Sequence, residues 1–296
     1  MVNRKSSIVN QSMGILYLVA TPIGNLEDIT LRALRVLKEC DLIACEDTRH
    51  TARLLTRYSI GTPRESYHKF NEESRTPRLI QMLREGKNIA LVSDSGMPLV
   101  SDPGYELVSC CRKEGIQVIP VPGPSAVTAA LAASGLPADT FFFAGFLPAR
   151  GSLRRRRLEA LFSIPATLIL FEAPHRLLNS LEDMVAVLGN RRVTMARELT
   201  KIHEDIFHGS LTELLDNLQT RPAIQGEVTL VIEPGEAAAV ESVWPASLKQ
   251  HLEDEMTRTG LSRNEALKSV AKKRGISRRD AYNQLTDELR TAEEQE

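Results

Sequence analysis

Between Gly14 and Thr51 the chain alternates short apolar runs with shaped loops, and this alternation limits the fold more than any other feature of its 296 residues. Ile15 to Ala20 has the length of a buried strand. Thr21-Pro22-Ile23-Gly24-Asn25 breaks it: Pro22 removes a backbone donor and Gly24 permits positive φ. Thr30 stands where it would cap a helix whose Leu31, Leu34 and Leu37 share one face. Asp41 to Cys45 is a second apolar run, ending in Glu46-Asp47-Thr48-Arg49. Two strands thus deliver polar loops at their carboxyl ends, the edge where open α/β sheets bind ligands. Any βαβ crossover with ordinary loops would share this much.

The alternation continues. Thr48 to Tyr58 predicts a helix with Leu54 and Leu55 inward, Ser66 to Asn71 a strand or loop, and Ser74 to Glu85 a helix stopped by Gly86. Ile89 to Val92 is a buried strand followed by the turn-rich segment Ser93 to Gly104, which can aim several backbone N–H groups at a ligand. Leu107 to Lys113 is a helix and Gln117 to Val121 a strand. Pro122-Gly123-Pro124-Ser125 follows, with Ser125 expected to cap a helix from Ala126 to Ser134. Strands ending in Gly/Pro loops argue for a mostly parallel sheet. Neither G-x-G-x-x-G nor G-x-x-x-x-G-K-[ST] occurs among these loops, so a diphosphate cradle is not expected.

The pattern resets after Gly135. Phe141 to Phe146, Ala166 to Phe171, Arg192 to Leu199, a run around Ile206 and Phe207, and Val228 to Ile232 read as strands. Helices run to Leu188 and from Leu211 to Leu218. The fold class expected is therefore α/β, with an N-terminal α/β domain over 14–136, a second over 137–234 in which the sheet is mixed, and a helical, basic module over 245–290. Gly235 to Val243 reads as a linker and Met1 to Met13 as a disordered start.

Charge is informative only locally, because the net charge is −1. Arg150, Arg154, Arg155, Arg156 and Arg157 precede any acid in their segment. They read either as a solvated helix face or as an electropositive patch suited to phosphate. From Arg258 to Arg279 eight basic residues, among them Lys272, Lys273, Arg274, Arg278 and Arg279, face the single acid Glu265. Gly260-Leu261-Ser262 and Gly275-Ile276-Ser277 each precede a short helix, a pattern like a small helix-turn-helix; a solvated helical tail would look similar. None of the four cysteines forms a C-x-x-C pair, and no apolar run approaches the ~20 residues needed to span a bilayer. A cytoplasmic protein with reduced thiols and no metal site is expected.

The motifs together resemble one family. T-P-I-G-N-L-x-D-I-T from Thr21, C-E-D-T-R from Cys45, S-D-x-G-x-P-x-x-S-D-P-G from Ser93, P-G-P-S-A from Pro122, G-F-L-P from Gly145 and P-H-R from Pro174 are similar to the bacterial ribosomal RNA small-subunit methyltransferase I family, of the tetrapyrrole-methylase-like superfamily. The resemblance implies S-adenosylmethionine in a cleft between two α/β domains. It also implies 2′-O-methylation of a cytidine ribose in the decoding region of 16S rRNA, within the 30S subunit or as naked RNA, and a homodimer. Carried over by position, the cofactor touches Pro22, Ser95, Gly96, Met97, Val100, Ser125, Ala126, Phe171, Leu199 and Gly226. Ser95 and Met97 depart from the Ala and Thr more usual there.

A ribose hydroxyl is a poor nucleophile, so a nearby base or cation should help it. Glu46 and Arg49 are the favoured pair, with Asp47, Glu172, Lys201 and His203 as further candidates. Asp47 also stands where it would simply cap the following helix. Arg154 to Arg157 and Lys272, Lys273, Arg274, Arg278 and Arg279 are the candidate RNA contacts. A tetrapyrrole methyltransferase, or a non-catalytic RNA-binding assembly factor, are the competing readings.

Overall fold

The computed structural model describes residues 13–235 and 247–293. The expected disordered start and linker lie outside the described residues, apart from Met13 and Gly235. So do the first two residues of the expected 245–290 module.

Five parallel strands, β1 (Ile15–Val19), β2 (Leu42–Cys45), β3 (Arg64–Ser66), β4 (Ile89–Val92) and β5 (Gln117–Val121), form a sheet in the order β3-β2-β4-β1-β5. Helices α1 (Leu31–Glu39) and α2 (Thr48–Arg57) cover one face, where Ala33, Leu37, Leu54 and Leu55 meet Val19, Ile43, Cys45, Ala90 and Val92. Helices α3 (Glu72–Arg84) and α4 (Tyr105–Lys113) cover the other, where Leu79, Leu83, Leu107 and Cys111 meet Leu16, Leu42, Ala44, Ile89 and Leu91. Successive residues of β2 and β4 thus feed opposite cores, which is why both strands are apolar throughout. From β1 the chain crosses towards β2, and from β4 it crosses the other way to β5. The loops after β1 and β4 therefore diverge at the carboxyl edge and leave a crevice there.

The second sheet is mixed, as its irregular alternation predicts. Its strands are β6 (Phe141–Phe146), β7 (Thr167–Glu172), β8 (Arg192–Arg197), β9 (Asp205–Ser210) and β10 (Val228–Ile232), in the order β6-β7-β10-β8-β9. Only β6 and β7 run parallel. Helix α5 (Ala126–Ser134) leaves the last strand of the first sheet and packs Val127, Ala130 and Leu131 on Ile169, Ala196 and Val231 of the second. Helices α6 (Gly151–Phe162), α7 (Leu177–Leu188) and α8 (Leu211–Gln219) cover its other face. Both sheets lie in one compact unit, 1–235, and the boundary read at 136/137 falls between α5 and β6.

The second unit, 236–296, holds α9 (Leu248–Thr259), α10 (Arg263–Lys273) and α11 (Arg278–Glu293) around Leu248, Leu252, Leu267, Val270, Ala281 and Leu285. Ser262 and Ser277 mark helix starts as expected, Ser262 pairing with Glu265 and Asp280 N–H donating to Ser277, and Ser247 does the same for α9 by accepting from Gln250 N–H. No helix among the described residues is long and apolar enough to cross a membrane.

Candidate functional site: the cleft at the carboxyl edge

The loops after β1 and β4 are stitched together. Thr21 N–H donates to Gly96 O at 2.9 Å, Gly96 N–H returns to Thr21 O at 3.0 Å, and Thr21 Oγ1 donates to Ser93 O at 3.0 Å. Gly96 has φ +82°, a conformation glycine adopts without cost. Leu99 and Ser101 in the same loop have φ +72° and +70°, and Glu198 and Thr200 in the loop after β8 have +54° and +65°. A β-branched residue such as Thr200 in that region is strained, and strain of this kind gathers where surrounding structure holds a site in shape. The strained loops lie on both sides of one cleft. Asn25 N–H reaches Thr200 Oγ1 at 3.1 Å, and a Cβ on Gly24 would stand 2.8 Å from Leu199 O.

The cleft holds a cavity of about 350 Å³. Ile23, Met97, Val100, Phe146, Phe171 and Val228 give it apolar walls, while Asp102 and Glu227 supply carboxylates. No Lys or Arg lines it among the described residues. Ser125, Ala126 and Val127 bring the first turn of α5 to its wall. Against expectation, Ser125 does not cap α5: its side chain makes no cap hydrogen bond. First-turn N–H groups are therefore left open at the cavity, at the positive end of the helix dipole. This donor set fits S-adenosylmethionine: apolar walls and carboxylates tolerate a sulfonium, and open amide N–H groups can donate to a carboxylate or ribose oxygen.

A second cavity of about 300 Å³ adjoins the first, with Ile23, Ser95 and Glu227 in both linings. It also takes in Pro22, Leu26, His50, Arg53, Leu54, Asp94 and Lys201. Asp94 Oδ1 accepts from Asp47 N–H at 3.0 Å and so ties the end of β2 to that of β4.

Of the expected cofactor residues, Ser95, Gly96, Met97, Val100, Ser125, Ala126, Phe171 and Gly226 all line the first cavity. Pro22 lines the second. Leu199 lines neither and packs against the core beneath α5. Sequence reasoning missed Asp102, whose carboxylate accepts from Ser93 Oγ and is pushed above the ordinary range by burial. Its place in the S-D-P-G half of the Ser93 motif was the available signal.

The catalytic candidates are scattered. Glu46 and Arg49 line neither cavity. Burial, followed by the neighbouring carboxylates of Asp102, Asp94 and Asp47, pushes Glu46 up from the usual range. Arg49 lies along Asp47 with its side chain 92% exposed. Asp47 accepts from Arg49 N–H at 2.7 Å and caps α2. Glu172 lines the first cavity, but its carboxylate is fully employed by Arg176 Nε, Ser180 Oγ and Ala173 N–H. Lys201 is held between Glu198 at 2.8 Å and Glu227 at 3.4 Å. Burial disfavours its charge, yet these carboxylates keep its proton affinity above the ordinary value. His203 is exposed outside both cavities.

The arginine patch needs correction at one position. Arg154 is buried, with Nη2 at 2.6 Å from Asp183, because it points inward on α6 beside Leu158 and Leu161. Arg155 shares Asp183, while Arg156 and Arg157 are exposed. In the helical unit Lys272, Arg278 and Arg279 are exposed. Lys273 and Arg258 pair with Glu255, and Arg274 donates to His251 Nδ1 and Ser247 O. The basic surface there is thus smaller than the sequence count implies, because Glu255 lies just upstream of the counted stretch and folds back into it. Burial raises the thiols of Cys40 to about 11 and Cys111 to about 12, so neither is a reactive thiolate.

Residues 15–215, which hold the first sheet, four of the five strands of the second and most of the cleft, match the family of tetrapyrrole (corrin/porphyrin) methylases. The structure of a uroporphyrin-III-C-methyltransferase from Thermus thermophilus superposes with a TM-score of 0.54 and 25% identity, over 74% of this chain and 94% of its own. A ribosomal RNA small subunit methyltransferase I from Halalkalibacterium halodurans is 52% identical over 273 residues, 91% of this chain and 94% of the relative. One from Synechocystis is 47% identical over 281 residues, 94% and 99% of the two chains. Within the tetrapyrrole methylases, the chain belongs to the ribosomal RNA small subunit methyltransferase I family.

Proposed function

We propose that the chain transfers a methyl group from S-adenosylmethionine to the ribose 2′-hydroxyl of a cytidine in the decoding region of 16S rRNA, in the small ribosomal subunit and in the cytoplasm. The observation that carries this reading is the pair of adjoining cavities at one sheet edge. One has apolar walls with no lysine or arginine among its described lining residues, and the other is rimmed by His50, Arg53 and Lys201. The relatives named for the small-subunit RNA support the same class of acceptor.

The cofactor supplies an already electrophilic methyl carbon. The chain's part is then mainly positioning. Ser95 to Met97 and the first turn of α5 fix the donor, and Phe171, Met97 and Val100 keep water from it. Glu46, at the end of β2 and outside both cavities, holds a proton more readily than an ordinary carboxylate but is not placed to take the hydroxyl proton directly. The homodimer is part of the proposal. Phe141 and Phe142 on the edge strand β6 are 44% and 36% exposed, leaving an apolar side chain on each face of an open sheet edge that a second copy could cover.

The test is transfer of labelled methyl groups to small subunits from cells lacking the protein, to naked 16S rRNA and to a porphyrinoid. Label in an alkali-resistant dinucleotide is the expected result. Label on the porphyrinoid alone would overturn it in favour of tetrapyrrole chemistry, and RNA binding without label in favour of an assembly factor.

A further inference from the structure

We propose that the second cavity is the seat of the acceptor nucleotide, where His50 and Arg53 of α2 grip the phosphate beside the target ribose. The inference rests on the methyl-transfer reading above and specifies its acceptor side. Helix α2, TRHTARLLTR, contains no acid. Leu54 and Leu55 turn into the core, so His50 and Arg53, three residues apart, are left exposed on the outer side.

The third cation lining this cavity, Lys201, is already engaged with Glu198 and Glu227. The side chains of Arg53 and His50 have no hydrogen-bond or ion-pair partner among the described residues, although carboxylates line the same cavity. An unpaired guanidinium and imidazole at the rim of a nucleotide-sized cavity match a phosphate. Leu26 and Leu54 give the cavity an apolar side for a base or sugar. Ile23 and Ser95 form the sill between the two cavities, so an acceptor in one adjoins a donor in the other.

The experiment uses full-length protein and small subunits from cells lacking it. Arg53→Ala, His50→Ala, their double variant and Arg53→Lys are compared with the parent. The readouts are S-adenosylmethionine calorimetry, subunit binding at several salt concentrations, and single-turnover methyl transfer. Arg53→Ala should weaken subunit binding about tenfold and reduce the salt slope by about one. Its affinity for S-adenosylmethionine should stay within about twofold, because Arg53 does not line the donor cavity. His50→Ala should act in the same direction, and Arg53→Lys should restore the salt slope, because it keeps the charge, with only part of the affinity, because it loses the bidentate fork. Unchanged subunit affinity and salt slope in the double variant would overturn the assignment. So would equal losses of cofactor and subunit affinity with a lowered melting temperature, which would make the pair structural. If the parent protein binds S-adenosylmethionine and methylates no RNA, the methyl-transfer reading itself fails, and the acceptor seat with it.

Discussion

The amide of Asn25 donates to Thr200 Oγ1 at 3.1 Å, fastening the loop after β1 in the first sheet to the loop after β8 in the second. Gly24 makes this approach possible. A Cβ there would meet Lys201 Cγ at 2.5 Å, Leu199 O at 2.8 Å and Thr200 Oγ1 at 2.9 Å. Gly24→Ala should therefore open the cleft and destabilise the two-sheet unit by about 1–3 kcal/mol. Cofactor affinity should fall at least as steeply as stability. Calorimetric binding beside denaturant unfolding checks this, and unchanged affinity would mean that the loop contact does not shape the donor cavity.

Arg154 and Asp183 form a pair in which both side chains are only 7% exposed. Removing one partner of such a pair strands a buried charge. Arg154→Ala should cost about 2–4 kcal/mol, the lower end reflecting Arg155, which also holds Asp183. Arg156→Ala and Arg157→Ala, on the exposed side of α6, should each change stability by less than about 0.5 kcal/mol. They should instead lower the salt dependence of RNA binding. Equal stability losses at all three positions would contradict this division.

Glu46 is a carboxylate whose proton affinity is raised in the folded state by burial and by Asp102, Asp94 and Asp47. Between its unfolded and folded pKa the native state binds more protons than the unfolded one. Stability therefore falls as pH rises through that window and stays lower at neutral pH. Glu46→Gln should accordingly raise the melting temperature at pH 7. Because Glu46 lies outside both cavities, the same change should leave the acid limb of the pH profile of transfer intact. A flattened acid limb would place Glu46 in the chemistry.

Glu255 is the reverse case. Lys273 and Arg258, with Ser269, hold its carboxyl down to about 2. Its contribution to the helical unit is present above the unfolded carboxylate pKa and is lost as pH falls from there towards 2. Hydrogen exchange of the α9–α11 amides in the full chain should accelerate across that acid range. In Glu255→Gln it should already be fast at neutral pH.

Much of the local structure was legible in the residues. Thr30 caps α1 and Gly86 follows α3, and the turn-rich Ser93–Gly104 segment contributes Ser95, Gly96, Met97, Val100, Ser101 and Asp102 to the cavity lining. These features depend on neighbours a few positions apart, where periodicity and φ preference act directly. The motif resemblance also reached eight of the residues that line the first cavity.

Charge was the part the residues could not settle. The sequence shows five arginines near α6, but whether each faces water or a carboxylate depends on Asp183, 29 residues beyond Arg154 and on another helix. It shows Glu46 beside Asp47, and does not show that Asp94 and Asp102 fold back against it. The chain by itself determined the order of strands, helices and loop shapes, since those follow from local dihedral preference and hydrophobic period. Only the tertiary structure decided which cations are paired, which carboxylates are desolvated and where the two cavities adjoin. Those properties arise from contacts between segments distant in the chain, and electrostatic energies follow distance and burial rather than sequence position.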